Sequence, residues 1–591
     1  MTDFLRWFVA AAVVALSTGS ASAQVGTISG PVNPNLACSA SVPAPAQLRQ
    51  EGYTELLGDI LITCTGGSPL SIGAAIPTVT LVVYLKSPYL NITSRIIGST
   101  SASSTVSEAM LIIDDAGSTS VTTGATGGYG PQAPQSFCTV AQQENSGGSP
   151  CQAYVGTDRS GNYQVAVQQG TLTPAQNVYQ GAVGDFGANS VTFYNVPVLP
   201  PAYQGVSRTF RITNLRASIS TVGLPSQQQV FFILSSSSDD TLPVSGIGGG
   251  AGTVNNAMTA GVNPAPSGGH GPFSTCVPPT DPALTAQVTF TEGFATMFKT
   301  RAVPLTNTTW ASTLQNTGIP GQNIPGSLYG GHGPNSESGF ILPAASGVVS
   351  GVTYTVGLTD YGTRLKAVFT NIPSGLTLYV STANAGGYAV PGGMNTAPYA
   401  VLVASSQPNE ANNDGSVITL LSSGTVPGSD GLAAYPLTPD GTGTAAAVWE
   451  VVNANPAAVD SLTFSVYIAY NGTPQSTGQN GQLANNVALS FAPEPGGGTF
   501  SNANAGNGLS SPVPRFNVLT TQQGGWVTIN SCTLACDITG DGPVTVADVQ
   551  RIINEALGGV APVHDLNHDG AVNVADIQIV INAALGLGCS L

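Results

Sequence analysis

From residue 25 to about 525, apolar positions recur with period two or in short solid runs. The clearest are 78–84 (Thr-Val-Thr-Leu-Val-Val-Tyr), 191–194, 230–234, 288–291, 367–370, 378–381 and 462–468. β-Branched and aromatic residues fill these runs, and Gly, Asn, Asp or Pro clusters bound them, which predicts short strands. The dipeptides Asp414-Gly415, Asp430-Gly431 and Asp440-Gly441 add turn signals. Many strands without intervening helices predict a mainly β chain of several antiparallel, Ig-like β-sandwich modules. After residue 536 the period changes. Val549, Ile552, Ile553 and Ala556 share one helical face, as do Ile577, Val580, Ile581 and Ala584, so two amphipathic helices follow.

Gly- and Pro-rich segments at 245–272 and 495–530 suggest boundaries. The expected organisation is a signal peptide at 1–23 and an N-terminal β module at 24–270, as one sandwich or two. A middle β module at 271–400 and an Ig-like sandwich at 401–525 follow, then a linker at 526–535 and a small all-α module at 536–591. The leader has a charge at Arg6, an apolar run from Trp7 to Leu16, and a small-residue cleavage site at Ala21-Ser22-Ala23. That run is too short for a permanent membrane span. The expected location is therefore outside the cytoplasm, secreted or held at a surface.

Charge sharpens this picture. Only 7% of the 591 residues are charged, the net charge is −16, and Lys86, Lys299 and Lys366 are the only lysines. Such a chain repels nucleic acid and anionic membranes. The eight cysteines, an even count after an export signal, read as disulfides. Nearest neighbours give Cys38–Cys64 and Cys138–Cys151 as the expected pairs.

The tail carries the most specific chemistry. Residues 537–548 (Asp-Ile-Thr-Gly-Asp-Gly-Pro-Val-Thr-Val-Ala-Asp) recur as 565–576 (Asp-Leu-Asn-His-Asp-Gly-Ala-Val-Asn-Val-Ala-Asp). Each copy places oxygen-bearing side chains at loop positions 1, 3, 5, 9 and 12 and glycine at 6, the spacing of a calcium loop. Each following helix is about a dozen residues, marginal alone, so the two apolar faces must pack together.

These residues resemble a type I dockerin, a duplicated loop–helix repeat with Asp rather than Glu at position 12. The resemblance covers about a tenth of the chain and implies two Ca2+ ions. Its ligands would be Asp537, Thr539, Asp541, Thr545 and Asp548 with the Pro543 carbonyl, and Asp565, Asn567, Asp569, Asn573 and Asp576 with the Ala571 carbonyl. Thr539 replaces the usual Asn. The implied partner is a cohesin domain, met through positions 10 and 11: Val546 and Ala547 in one copy, Val574 and Ala575 in the other. The usual Ser-Thr pair is absent there, and the alternative is that Val and Ala simply begin a buried helix face. Because dockerins often clasp their two ends, the resemblance also suggests a Cys536–Cys589 bridge. The β region, through residues 51–58 (Glu-Gly-Tyr-Thr-Glu-Leu-Leu-Gly) and 210–216 (Phe-Arg-Ile-Thr-Asn-Leu-Arg), resembles exported proteins of environmental bacteria such as Acidobacteria that end in dockerins; this implies architecture only.

Two functions compete. The first is a noncatalytic exported β protein, docked by its tail, with polysaccharide or a cell-surface glycan as a further partner. The second is a dockerin-borne glycoside hydrolase in polysaccharide catabolism. Hydrolysis needs two carboxyls about 5–10 Å apart, and Glu51, Glu55, Glu108, Asp114, Asp115, Glu292, Glu337 and Glu450 are the candidates. None lies in a recognisable motif, and the mature chain has only Trp310, Trp449 and Trp526 as sugar platforms of the largest kind. Lys299 and Arg301 read as solvated charges at a strand end. The repeated Gly-Gly-His-Gly-Pro at 268–272 and 330–334 reads as two flexible loops rather than a metal site.

Overall fold

The computed structural model describes residues 35–68, 76–86, 90–99, 105–113, 137–145, 150–151, 154–157, 163–165, 176–198, 200, 207–220, 225–264, 273–274, 281–301, 336–340, 342–349, 352–357, 359–372, 376–386, 398–403, 424–470, 486–492, 513–517, 521–523, 529–530, 535–540, 544–585, 587 and 589. The expected leader, Asp414-Gly415, both Gly-Gly-His-Gly-Pro segments, Asp541 and Pro543 lie outside these residues.

Each of the seven apolar runs lies within or overlaps a strand. Residues 78–84, for example, fall in Thr78–Leu85, and 462–468 fall in Ser461–Tyr470. The chain is mainly β, in two bodies. In the first, eleven strands of a thirteen-stranded sheet follow the path Val244–Ser245, Leu36–Ser41, Ile60–Gly66, Arg208–Thr213, Thr105–Ile113, Val178–Gly184, Gly187–Pro197, Thr78–Leu85, Gln229–Ser236, Gly248–Val254 and Ala46–Leu48; off it, Ile96–Ser99 pairs with Thr105–Ile113 and Phe137–Cys138 with Val178–Gly184. Val244–Ser245 begins this path and Gly248–Val254 is next to its other end, yet only Gly246 and Ile247 separate them in the chain. The sheet therefore curls back on itself. Gly246 makes that corner at φ 67°, and a Cβ there would come within 2.9 Å of the Ala40 carbonyl. Leu81, Val83, Leu111, Phe193, Phe210, Ile212, Val230 and Phe232 fill the enclosed core. One sandwich-like body with one main core thus stands where one or two were expected.

The second body has two sheets. One orders Thr259–Pro264, Ala283–Thr291, Ser461–Tyr470, Leu376–Ser381, Ala433–Leu437 and Val426–Pro427; the other orders Tyr399–Leu402, Ala445–Asn453, Arg364–Phe369, Val487–Ala492 and Thr521–Gln523. Val288, Phe290, Phe464 and Val466 from the first share a core with Leu365, Phe369, Trp449 and Leu489 from the second. The Trp449 and Phe464 rings stack between the layers at 4.1 Å, and the Trp449 Nε1–H donates to the Ser381 carbonyl at 2.9 Å.

This pairing corrects two expected boundaries. No cut near residue 400 separates modules, because Ala283–Thr291 pairs with Ser461–Tyr470 and Arg364–Phe369 pairs with both Ala445–Asn453 and Val487–Ala492. Residues 271–400 and 401–525 contribute to the same two sheets. The first boundary also moves: Val254 ends the first body, and Thr259–Pro264 already pairs within the second. Long-range strand pairing leaves no local mark in composition: the Gly/Pro-rich stretch 245–272 holds the joint, between Val254 and Thr259, and also the strands Gly248–Val254 and Thr259–Pro264 on either side of it.

Two small helices close the described chain, Val546–Ala556 and Val574–Ala584. Ile538, Ile552, Leu566, Val580 and the Cys536 side chain form their common core. Disulfides join Cys38 to Cys64, Cys138 to Cys151 and Cys536 to Cys589. Cys276 and Cys532 lie outside the described residues. Among the described residues, no helix is long and apolar enough to cross a membrane.

Candidate functional site

The two tail repeats are built alike. Thr545 caps the first helix, accepting from the Ala547 amide, and Asn573 caps the second, accepting from the Ala575 amide. Three residues on, Asp548 and Asp576 complete capping boxes with the Thr545 and Asn573 amides at 2.7 and 2.8 Å. This geometry satisfies otherwise orphaned amides at a helix start. The same two carboxylates reach back across their loops. Asp548 accepts from the Thr539 amide and hydroxyl at 2.9 and 2.8 Å; Asp576 accepts from the Leu566 and Asn567 amides at 2.7 and 3.1 Å. Loop positions 3, 9 and 12 are thus drawn together in both copies. Burial alone would push the Asp548 carboxyl up, but these hydrogen bonds outweigh it and hold it below the usual range.

In the second loop Asp565 accepts from the Gly570 amide at 2.7 Å, while Asp569 meets the Asn567 and Asn573 side-chain amides at 2.8 and 2.9 Å. The donor set is oxygen-rich and hard, which suits calcium rather than a softer metal. A carboxylate oxygen with one or two N–H donors keeps lone-pair capacity, and rotating an Asn amide turns its oxygen inward. The donors described in the second loop, Asp565, Asn567, Asp569, Asn573 and Asp576, are of the type a calcium ion takes. Among the described residues no group of three or more His, Cys, Asp or Glu is placed so that it could hold a metal ion.

Val546, Ala547, Val574 and Ala575 are exposed, so they do not begin a buried helix face. Val546 and Val574 are 79% and 77% exposed, and Leu557 and Leu585, at the helix ends, are 79% and 70% exposed. The repeat offset of 28 residues relates both pairs.

A second constellation lies between the β bodies. Arg49, from the first, donates to Glu55 at 2.8 Å and to both oxygens of Glu337, from the second, at 2.6 and 3.0 Å. Its guanidinium also meets the Thr363 hydroxyl at 3.0 Å and lies 4.6 Å from the centre of the Phe516 ring. Arg216 pairs with Glu108 at 3.1 Å and donates to the Glu337 carbonyl at 2.6 Å, while Arg95 pairs with Asp360 at 2.8 Å and Arg364 with Glu450 at 2.9 Å. All these side chains are buried. The Arg49 charge and hydrogen bonds hold the Glu337 carboxyl below its usual range despite desolvation, which is the largest single influence and opposes them.

The hydrolase candidates resolve here. Glu55, Glu108, Glu337 and Glu450 are ion-paired within this buried cluster. Glu51 is buried beside it and accepts from the Met258 amide at 2.7 Å; burial pushes its carboxyl up. Glu292 is buried farther into the second body, accepting from the Phe298 and Asp460 amides, and burial raises it to about 7. Asp114 and Asp115 lie outside the described residues. Lys299 and Arg301 are 5% exposed, not solvated, and the Arg301 Nε–H donates to the Thr359 carbonyl at 2.9 Å. Sequence reasoning missed the cluster because its partners stand up to 288 residues apart. The available signal was scarcity: a chain with so few cations has reason to place each one.

No family model and no curated protein matches this chain. Among solved structures, the Streptococcus agalactiae AgI/II polypeptide BspA C-terminal domain overlaps at 8% identity and a TM-score of 0.22, covering 84% of this chain and 100% of that one. The B domain of a biofilm associated protein overlaps at 7% identity and a TM-score of 0.18, covering 93% and 96%. The CupB6 tip adhesin of Pseudomonas aeruginosa gives 9%, 0.15, 85% and 99%. TM-scores this low do not mark a shared fold.

Proposed function

We propose that this protein is an exported, noncatalytic β protein held in place by a calcium-dependent, dockerin-type tail that docks to a cohesin-bearing scaffold or surface. The observation that carries the reading is the duplicated surface: Val546 with Leu557, and Val574 with Leu585, stand exposed beside two loops of the same oxygen-donor pattern. Calcium would neutralise the loop carboxylates and bring the two helices to full stability. Each loop would supply Asp, Thr or Asn oxygens to it; the protein's own part is the capped helix starts and the Cys536–Cys589 closure. A bridge over that span restricts the unfolded chain by about 4 kcal/mol on the loop-entropy estimate.

The hydrolase alternative loses its strongest candidates. Glycoside cleavage needs two carboxyls open to a sugar, and six of the eight named are buried, four of them in ion pairs.

The test is capture of the full mature chain on an immobilised panel of cohesin domains, with and without chelator. Binding should need calcium and vanish in Asp541→Ala combined with Asp569→Ala. Capture that survives both chelation and the double substitution would sink the reading.

A further inference from the structure

We infer that the turn 292–298, closed by the Glu292 carboxyl, is a pH-sensitive latch on the seam between the two β bodies, shut in acid and loosened toward neutral pH. Glu292 follows the strand Ala283–Thr291. One of its carboxylate oxygens accepts from the Phe298 amide, across the turn, and the other from the Asp460 amide at 2.7 Å. The Glu292 amide donates in return to the Asp460 carbonyl at 3.0 Å. The turn so closed is strained. The Met297 amide donates to the Phe294 carbonyl at 3.2 Å, so Thr296 is the third residue of a four-residue turn, and its φ is 76°. Glycine or asparagine takes that place when φ is positive, and a β-branched residue there is an outlier. The Thr296 hydroxyl is buried without a hydrogen-bond partner among the described residues, so it does not offset the strain.

The turn also touches what joins the bodies. The Met297 carbonyl accepts from the Arg49 guanidinium of the first body at 3.2 Å. At Gly293 a Cβ would come within 2.3 and 2.4 Å of the Asn256 and Ala257 carbonyls, in the chain that links the bodies. Opening the turn frees both contacts, while the strands on either side keep their own pairing. Charge makes the latch respond to pH. Glu292 and Asp460 are 4% and 5% exposed, and among the described residues neither is ion-paired. The neighbouring segments 255–258, 293–298 and 454–459 carry no ionisable side chain. The cations adjoining the turn, Lys299 and Arg49, face Glu55 and Glu337 instead. Burial, opposed by the amide hydrogen bonds, raises Glu292 to about 7 and also raises Asp460. In the open turn Glu292 meets water and returns to its ordinary 4.5. Closure is thus complete below pH 4.5, weakens about tenfold per pH unit as pH rises toward 7, and levels off above that.

The experiment is native-state hydrogen exchange on the mature full-length chain from about pH 4.5 to about pH 8, corrected for intrinsic exchange and read at single amides. The Phe298 and Asp460 amides should exchange through a local opening, faster than the amides of Ala283–Thr291 and Ser461–Tyr470. Their protection should fall about a hundredfold or more between pH 4.5 and 7. Low denaturant should leave that opening unchanged, because a local event exposes little surface. Glu292→Gln should abolish the pH dependence. Exchange of the two amides in step with the flanking strands at every pH would overturn the proposal. A local opening with no pH dependence would overturn it too, as would a dependence that survives Glu292→Gln. The first two of these results are read on the wild type, so they decide the matter even where the variant does not fold.

Discussion

Arg49 is the residue on which the two β bodies meet. Its guanidinium divides between Glu55 and Glu337 with no exposed surface. Desolvating such a group cancels much of its Coulomb gain, but removing one partner leaves the others buried and uncompensated. Arg49→Met or Glu337→Gln should therefore cost about 3–5 kcal/mol, read as a shift in denaturation midpoint; a change below about 1 kcal/mol would mean the cluster is wetter than its burial implies. Glu292 has the opposite pH behaviour. Burial raises its folded-state value from 4.5 to about 7, so the stability it contributes is complete below pH 4.5 and is lost as pH rises through about 7. Glu337, held low, contributes stability that is present above pH 4.5 and lost as pH falls. Melting temperature should thus decline on both the acid and the neutral side, and Glu292→Gln should flatten the decline between pH 4.5 and 7 while leaving the acid limb in place.

At the level of elements, the seven apolar runs were legible because period-two patterning and β-branched residues are local signals. The tail helices were legible for the same reason, through the spacing of Ile552 and Val580 on their buried faces. What local pattern could not show is which strands pair. The joint expected near residue 400 failed because Ser461–Tyr470 crosses back to Ala283–Thr291. The solvated reading of Lys299 and Arg301 failed because their surroundings are not local: Thr363 meets the Lys299 amide from 64 residues on, and Thr359 meets Arg301 from 58 residues on. In the tail, Asn573 caps a helix and stands at position 9 of its loop, where the proposed calcium ion would give it a second use. Asn573→Ala should cost about 1 kcal/mol through the cap alone, measurable by thermal melts in chelator. A further loss in calcium, seen as a smaller rise in melting temperature on adding the ion, would report its second use.

At the scale of the molecule, the β bodies are joined by more than the residues between Val254 and Thr259. Gly52 bridges to Phe516, the Tyr53 amide donates to the Arg515 carbonyl at 2.9 Å, and the Phe340 amide donates to the Asn214 side chain at 2.9 Å. Phe340 and Val356, from the chain beyond Thr259, also pack with Met110 and Ile112 of the first body. Calorimetry should show a single cooperative transition for both bodies, and chelator should shift only the signal of the tail. Two separate β transitions would mean the ionic contact is too weak to couple them.

The burial of cations has a consequence for proteolysis. Arg49, Arg95, Arg208, Arg216, Lys299, Arg301, Arg364 and Arg515, eight of the chain's fourteen basic residues, are sequestered. Trypsin-like proteases, which cut after Lys or Arg, therefore find few accessible sites on the folded β bodies. The same economy limits amine-directed reagents: of the three lysines, Lys299 is buried and Lys366 half-buried, while Lys86 is exposed. Among the lysine side chains, a mild acylation should concentrate there.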